Sequence, residues 1–411
     1  MNSNVFLLGG FQTDFARNWA REKKHISAMI RETYEGSLEC TKIRPADISA
    51  AFVGNFAAEL YCMQGHLGAF FVELDPAFKG LPTCRYEAAC ASGGVAALSA
   101  MAHIQAGLYD CVAVVGVEQM KTVDSARGGD FLGTAAWYER ESKGVEFPFP
   151  KLFGKLGDEY DKRYGLKAEH LARIAEINYA NARRNPNAQT RDWYMSYDHA
   201  CGTGQYNPAI SGRIKVTDCS QVTDGAAIIY MASEKYAADY AHRCGISLDA
   251  LPRVLGWGNT TAPIEFAVKV EDSKNDPYVL PWTRKAITDA MQRAGLDSCW
   301  QLSAIETHDC FTTSEYMAID HFGLTEPGKS WQAVEQGIIA LGGRLPINPS
   351  GGLIGCGHPV GATGVRQLLD AYKQTTGSAW DYQVPNARRV ATLNLGGSAT
   401  TNVVFIIGFN S

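Results

Sequence analysis

The sequence predicts an α/β fold built from two similar halves, with a further stretch set into the first. Three observations predict it. Apolar segments of strand character alternate with helical segments over residues 4–120. The order helix, strand, small-residue turn, helix, strand returns between residues 281 and 407. Residues 121–212 turn polar, charged and aromatic and fit neither half.

The elements follow in order. Asn4 to Leu8 is predicted as the opening strand. His25 to Thr41 is predicted as a helix, because Ile26, Met29, Ile30, Tyr34 and Leu38 recur at helical spacing. Pro45-Ala46-Asp47 marks a turn or short cap, and Ile48 to Phe56 a strand. After Gly80-Leu81-Pro82, the run Glu87-Ala88-Ala89-Cys90-Ala91-Ser92-Gly93-Gly94 sets one cysteine among small residues. A helix carrying Val95, Leu98, Met101 and Ile104 follows it, and then a strand from Cys111 to Gly116.

In the polar stretch, Lys167 to Arg184 carries Leu171, Ile174, Ala175 and Tyr179 at helical spacing. Basic residues cluster in that stretch, among them Lys151, Lys155, Lys162, Arg163, Arg183 and Arg184. Such residues usually form a solvated face. They also suit a lid that meets an anionic ligand. Ser220 to Ala232 is predicted as a buried strand that returns to the first half.

In the second half, a helix from Pro281 to Ala294 ends at Gly295-Leu296-Asp297, and Leu302 to Thr307 is a strand. A glycine-rich turn, Ser350 to Pro359, opens a helix from Val360 to Gln374. Strands from Arg389 to Leu395 and from Thr401 to Ile407 flank Gly396-Gly397. The division this implies is residues 1–120 and 213–250 for the first half, 121–212 for the inserted lid, and 251–411 for the second half.

Composition excludes several classes. With 46% hydrophobic and 20% charged residues, the chain reads as a soluble globular protein. A net charge of -5 argues against a general nucleic-acid surface. The 11 cysteines lack C-x-x-C pairs, so they form neither a disulfide framework nor a zinc ribbon. A reducing, cytoplasmic setting is expected. No apolar run is long enough to span a membrane. Val5-Phe6-Leu7-Leu8 is too short for a signal peptide, and Gly408-Phe409-Asn410-Ser411 is not a peroxisomal address.

Four places carry chemistry. Cys90 is expected at a helix N-terminus, where free N–H groups and the helix dipole lower a thiol pKa. Taken alone it would read as a buried structural cysteine. His308-Asp309-Cys310-Phe311 directly follows a strand, at the edge where α/β folds place their sites. Alternation lets His308 and Cys310 share one face. His358, between Gly357 and Pro359 at a helix start, is expected neutral and able to accept a thiol proton. In Asn394-Leu395-Gly396-Gly397-Ser398, glycines after a buried strand can aim a bare N–H at an oxyanion.

These stretches, with Gly357-His358-Pro359-Val360-Gly361-Ala362-Thr363-Gly364, resemble the thiolase superfamily. The His-Asp-Cys-Phe run is most similar to the sterol-carrier-protein-type thiolases and their bacterial and archaeal relatives. The likeness covers nearly the whole chain, in order. It implies a thiolase-like fold of two βαβαβαββ halves in five α-β-α-β-α layers. It implies Cys90 as the nucleophile that takes an acyl group from a CoA thioester, and His358 as its activator. Cys310 would be the acid/base at the α-carbon, and His308 would hold the thioester oxygen. The N–H groups of Cys90 and Gly396 would form the oxyanion hole, and Ser220 and Phe311 would lie beside the pantetheine arm. No cofactor is implied as permanently bound and no metal; coenzyme A is the cosubstrate.

The chain also departs from the commonest thiolases. Asn394 stands where those carry the second cysteine, and His308 to Phe311 replaces Asn-Glu-Ala-Phe. Cys356 is a rival to Cys310 for the acid/base role. No sterol-carrier domain is expected after residue 411. The resemblance implies a homodimer or a dimer of dimers, with acyl-CoA substrates. Two alternatives stand beside it. One is a thiolase or acyltransferase subunit that needs a small zinc-ribbon/OB-fold partner. The other is a catalytically silent scaffold, which the joint presence of Cys90, His308, Cys310 and His358 opposes.

Overall fold

A computed structural model describes residues 4–409. The reading of the C-terminal tail rests partly on residues 410 and 411, outside the described residues. The sheet strands are β1 (Val5–Gln12), β2 (Ala50–Gly54), β3 (Thr83–Tyr86), β4 (Cys111–Glu118), β5 (Gly225–Ser233), β6 (Arg253–Thr261), β7 (Ala304–Glu306), β8 (Arg389–Gly396) and β9 (Thr401–Gly408). The main helices are α1 (Ile26–Cys40), α2 (Ser92–Gln105), α3 (Ser125–Gly133), α4 (Pro148–Tyr164), α5 (Ala168–Ala182), α6 (Glu234–Cys244), α7 (Phe266–Asp272), α8 (Pro281–Arg293), α9 (Thr312–Phe322) and α10 (Thr363–Thr376).

The strand order is β3-β2-β4-β5-β1-β6-β9-β8-β7. It reads as one plan used twice, outward from the middle. β1 and β6 meet edge to edge through the Phe6–Arg253 pair and a 2.9 Å bond from Leu7 N–H to the Pro252 carbonyl. On one side β1, β5 and β4 pair antiparallel and β4 pairs parallel with β2. On the other side β6, β9 and β8 pair antiparallel and β8 pairs parallel with β7. Even β3, parallel to β2, has a remnant counterpart, since Ile347 runs parallel beside Ile305.

Strand alternation sets the layers. Val5, Leu7, Phe52, Val112, Val114, Ile229 and Met231 from one half-sheet, and Val390, Val403, Phe405 and Ile407 from the other, bury α2 and α10 in a shared core. Their sequence neighbours Phe6, Leu8, Val53, Val115, Ile228 and Tyr230 face α1 and α6. Leu393, Val404 and Ile406 face α8 and α9. Helix, sheet, helix, sheet, helix is therefore the order through the molecule, as expected.

The expected elements are present with shifted ends, and β3, β6, α3, α4, α6, α7 and α9 were not foreseen. The first strand runs on to Gln12, whereas the strand expected from Ser220 starts only at Gly225. β3 hides in what reads as a loop before Cys90. α6 lies at the end of the expected first half and β6 at the start of the second. β6 is masked by Gly256 and Gly258, where a Cβ would lie 2.1 Å and 1.9 Å from the Ala290 and Ala286 carbonyls of α8. α9 lacks any polar face because Glu315, Asp320 and His321 are all buried. The cysteines are free thiols. Among the described residues no helix is long and apolar enough to cross a membrane.

Candidate active site

The duplicated plan brings equivalent loops face to face. Cys90 sits on the loop from β3 into α2, and His358 on the loop from Ile347 into α10. Ala89 takes a left-handed conformation (φ 52°), and Ser92 ties the loop by donating to the Ala89 carbonyl at 2.6 Å while accepting the Ala88 N–H at 3.0 Å. Cys90 is thereby held two residues ahead of α2, 7% exposed. Its thiol departs from expectation. Burial pushes it up to about 12, although the Gly397 N–H bonds to the sulfur and pulls the other way. A helix start lowers a thiol pKa where water also reaches it. Here a thiolate must be made by a base.

His358 stands alongside, in the wall of the same cavity. The His358 N–H donates to Thr223 Oγ1 at 2.9 Å, which fixes the backbone. Its Nδ1 lies 2.7 Å from Thr363 Oγ1, and that hydroxyl donates its own proton to the Pro359 carbonyl at 3.1 Å. Thr363 must then accept from Nδ1–H, which leaves Nε2 as the free acceptor. Burial, and then the Arg366 charge, hold His358 down to about 3, so the ring is neutral as expected.

His308 has the opposite tautomer. Its Nδ1 accepts from Asn394 Nδ2 at 3.3 Å, so Nε2 carries the hydrogen, and that buried atom has no partner. Burial, His358 and Arg366 keep this ring neutral too. The two rings stand perpendicular at 5.1 Å, and the Cys90 sulfur and the ring nitrogens lie within 4.8 Å of one another. That spacing would also suit three ligands of a zinc ion.

Cys310 completes the group. Cys310 lines the cavity and His308 packs behind its wall against His358, while Asp309 turns away, where it accepts the Leu353 N–H at 2.6 Å and Asn178 Nδ2 at 2.9 Å. Burial, then the neighbouring Cys90, raise the Cys310 thiol well above the ordinary range. Its carbonyl accepts the Ser220 N–H at 2.9 Å, and Phe311 stacks on Phe153 at 4.8 Å. Cys90, Cys310, His358, Gly397, Ser220 and Phe311 all line one cavity of about 370 Å³. Its outer walls are apolar, from Met120, Leu132, Phe147, Phe149 and Val222.

Two expectations change here. Of the glycine pair, Gly397 lines the cavity with Cys90, and its N–H acts to lower the Cys90 thiol pKa. Gly396 ends β8 opposite Thr401 and packs under the Cys90 loop, where a Cβ would lie 2.2 Å from the Ala88 carbonyl. Cys356, the rival acid/base, lies outside the cavity. It is fully buried against Phe15, Ala182 and Ala362, and Asn185 donates to its sulfur at 3.6 Å.

Sequence reasoning missed the groups that hold these loops. Asn394 bonds the Cys90 carbonyl at 2.9 Å, His308 and the Gly94 N–H, so one amide ties both halves together. Glu118 accepts from Phe56, Ala57 and Gly361 N–H and from Asn55 Nδ2. Its place at the end of a wholly apolar strand was the available signal. Of the basic cluster, Arg163 is spent on Glu159 and the Ser273 carbonyl, whereas Lys151, Lys155, Lys162, Arg183 and Arg184 are exposed.

Comparison with known proteins agrees with this architecture. Residues 5–192 match the thiolase N-terminal domain, and residues 269–409 match the thiolase C-terminal domain-like family. The chain belongs to the thiolase family. It is 30% identical over 409 residues to an acetyl-CoA acetyltransferase of Methanothermobacter thermautotrophicus, covering 98% of this chain and 99% of that one. It is 28% identical to human sterol carrier protein 2, across 98% of this chain and 72% of that protein. Its fold is similar to an Ltp2–ChsH2(DUF35) aldolase (TM-score 0.77, 15% identity, covering 99% and 98% of the two chains). It is also similar to human mitochondrial 3-ketoacyl-CoA thiolase in complex with CoA (TM-score 0.72, 15% identity, covering 100% and 98%).

Proposed function

We propose that this chain is an acyltransferase of the acetyl-CoA acetyltransferase and 3-ketoacyl-CoA thiolase type, working through an acyl group on Cys90. The observation that carries the reading is the Cys90 thiol beside two neutral imidazoles of opposite tautomer, with the Cys310 thiol in the same cavity. In the cleavage direction, His358 Nε2 takes the Cys90 proton as the sulfur attacks the 3-oxo carbon of a 3-oxoacyl-CoA. The bond between C2 and C3 breaks, and its electron pair becomes the enolate of the departing two-carbon thioester. His308 Nε2–H holds the enolate oxygen, and the Cys310 thiol protonates C2. Free CoA then attacks the acyl-enzyme and gives its proton to the Cys310 thiolate. Cys90 leaves and regains its proton from His358. Condensation is the same path reversed. The oxyanion of each tetrahedral intermediate lies toward the Cys90 and glycine-pair N–H groups. Ser220 and Phe311 flank the pantetheine arm, and residues 121–212 act as the lid.

Mass spectrometry after mixing with acetyl-CoA or acetoacetyl-CoA tests this. Wild-type protein gains the acyl mass on Cys90, and Cys90→Ala gains none. Cys310→Ala still acylates Cys90 but does not complete condensation. A wild-type chain that gains no mass from any acyl-CoA would sink the reading. Chelator treatment leaves turnover unchanged, since no metal is needed.

The likeness to the Ltp2–ChsH2(DUF35) aldolase supports a second reading, in which a small zinc-ribbon/OB-fold protein completes the CoA site. Acylation by the purified chain alone rules for the first reading; acylation only after such a partner is added rules for the second. A cytoplasmic homodimer or dimer of dimers, with no nucleic-acid or membrane partner, completes the proposal.

A further inference from the structure

Lys269 is a buried lysine that the mechanism above does not use, and burial lowers its pKa to about 7. It lies on α7, 4% exposed. Its ammonium donates to the Ser398 carbonyl at 2.8 Å, to Ser398 Oγ at 2.7 Å and to Thr400 Oγ1 at 2.8 Å, with the Ile264 carbonyl at 3.4 Å. Among the described residues it makes no ion pair. Glu141, the carboxylate that acts on it through space, lies beyond contact and gives Oε1 to the Phe266 N–H. A lone ammonium held by neutral oxygens is an expensive arrangement in a protein interior.

The place explains the arrangement. Three of those oxygens, from Ser398 and Thr400, belong to the turn between β8 and β9, which carries Gly397. That turn has two left-handed residues, Gly397 (φ 61°) and Ala399 (φ 59°), and the second is an alanine, which disfavours this conformation. At Gly397 a Cβ would lie 2.6 Å from the Ala135 carbonyl, so the turn is pressed between α7 and the chain after α3. Local preference does not hold such a turn. Three hydrogen bonds from Lys269 do, and they hold it where Gly397 and Cys90 line the same cavity.

We propose that Lys269 is a positioning residue that clamps the Ser398–Thr400 turn so that the Gly397 N–H is presented to Cys90 and to the oxyanion formed there. The inference rests on the reading of Cys90 as the nucleophile, and its test has one arm that needs no acyl transfer.

The test compares wild type, Lys269→Ala and Lys269→Met. The first readout is the rate of Cys90 acylation against acyl-CoA concentration. The second is the rate of Cys90 alkylation by iodoacetamide, followed on the Cys90 peptide. Lys269→Ala is expected to lower the maximal acylation rate about thirtyfold to a hundredfold, with half-saturation within about twofold, as for loss of one oxyanion donor. Cys90 alkylation slows with it. Methylammonium fills the vacated site in Lys269→Ala and restores at least about a tenth of each rate. It does nothing for Lys269→Met, whose side chain occupies the space. A folded Lys269→Ala with wild-type rates, or a loss that methylammonium does not restore, overturns the proposal. If Lys269→Ala does not fold, Lys269→Met decides: a lowered maximal rate at unchanged half-saturation supports the clamp, and wild-type rates overturn it. If wild type forms no acyl-enzyme but alkylation still depends on Lys269, the thiolase reading fails and the clamp stands.

Discussion

At the scale of single residues, the site works by separating protons from sulfur. Both imidazoles are neutral and both thiols are protonated, so the resting cavity carries no charge of its own. With the Cys90 thiol pushed up to about 12, its thiolate fraction in the free protein grows with pH across the neutral range. Iodoacetamide alkylation of Cys90 is expected to accelerate about tenfold per pH unit between about pH 7 and pH 10. A rate already level below about pH 8 would contradict that assignment. Thr363 fixes the His358 tautomer through a 2.7 Å contact. Thr363→Val removes that acceptor, and about a tenfold to hundredfold loss in kcat at unchanged KM is expected. Steady-state kinetics on a variant whose melting temperature matches wild type checks this.

At the scale of elements, the loops around Cys90 and His358 are held by buried polar anchors. Glu118, at the end of β4, receives N–H groups from the chain after β2 and from Gly361 ahead of α10. Glu118→Ala strands those donors and is expected to cost about 3–5 kcal/mol, measurable by denaturant unfolding. Burial also raises the Glu118 carboxyl from 4.5 to about 7. The folded chain then keeps a proton that the unfolded chain has lost. Its contribution is full below about 4.5 and is lost as pH rises through about 7. Wild-type melting temperature should therefore fall more steeply than that of Glu118→Gln between about pH 5 and pH 8. Parallel slopes would exclude this linkage.

At the scale of the whole molecule, the two halves meet across α2 and α10, where glycines allow backbone contact. A Cβ at Gly364 would lie 2.3 Å from Asn394 Oδ1 and 2.4 Å from the Gly94 nitrogen. Gly364→Ala therefore pushes α10 from α2 and displaces the amide that bonds Cys90 and His308. Overpacking of this kind costs about 1–3 kcal/mol, and acylation is expected to fall further than stability alone accounts for. A variant with lowered melting temperature but wild-type acylation would show that Asn394 does not transmit the shift.

Much of this was legible in the chain. Period-two apolar runs such as Cys111 to Gly116 and Thr401 to Ile407, and helical spacing from Ile26 to Leu38, dictated strands and helices because burial on one face needs that repeat. The Cys90, His308–Cys310 and His358 stretches announced themselves because small residues and strand ends are where reactive side chains are exposed to a ligand. Only the tertiary structure decided the rest. α9 buries its carboxylates in contacts with Asn178 and Asn348 from elsewhere in the chain, so no local pattern marks it. The thiol of Cys90 is governed by how dry its surroundings are, not by the helix beside it. The place of Gly397 in the cavity wall, the burial of Cys356 away from it and the bonds of Lys269 all depend on which surfaces pack together, and packing between distant segments leaves no periodicity to read.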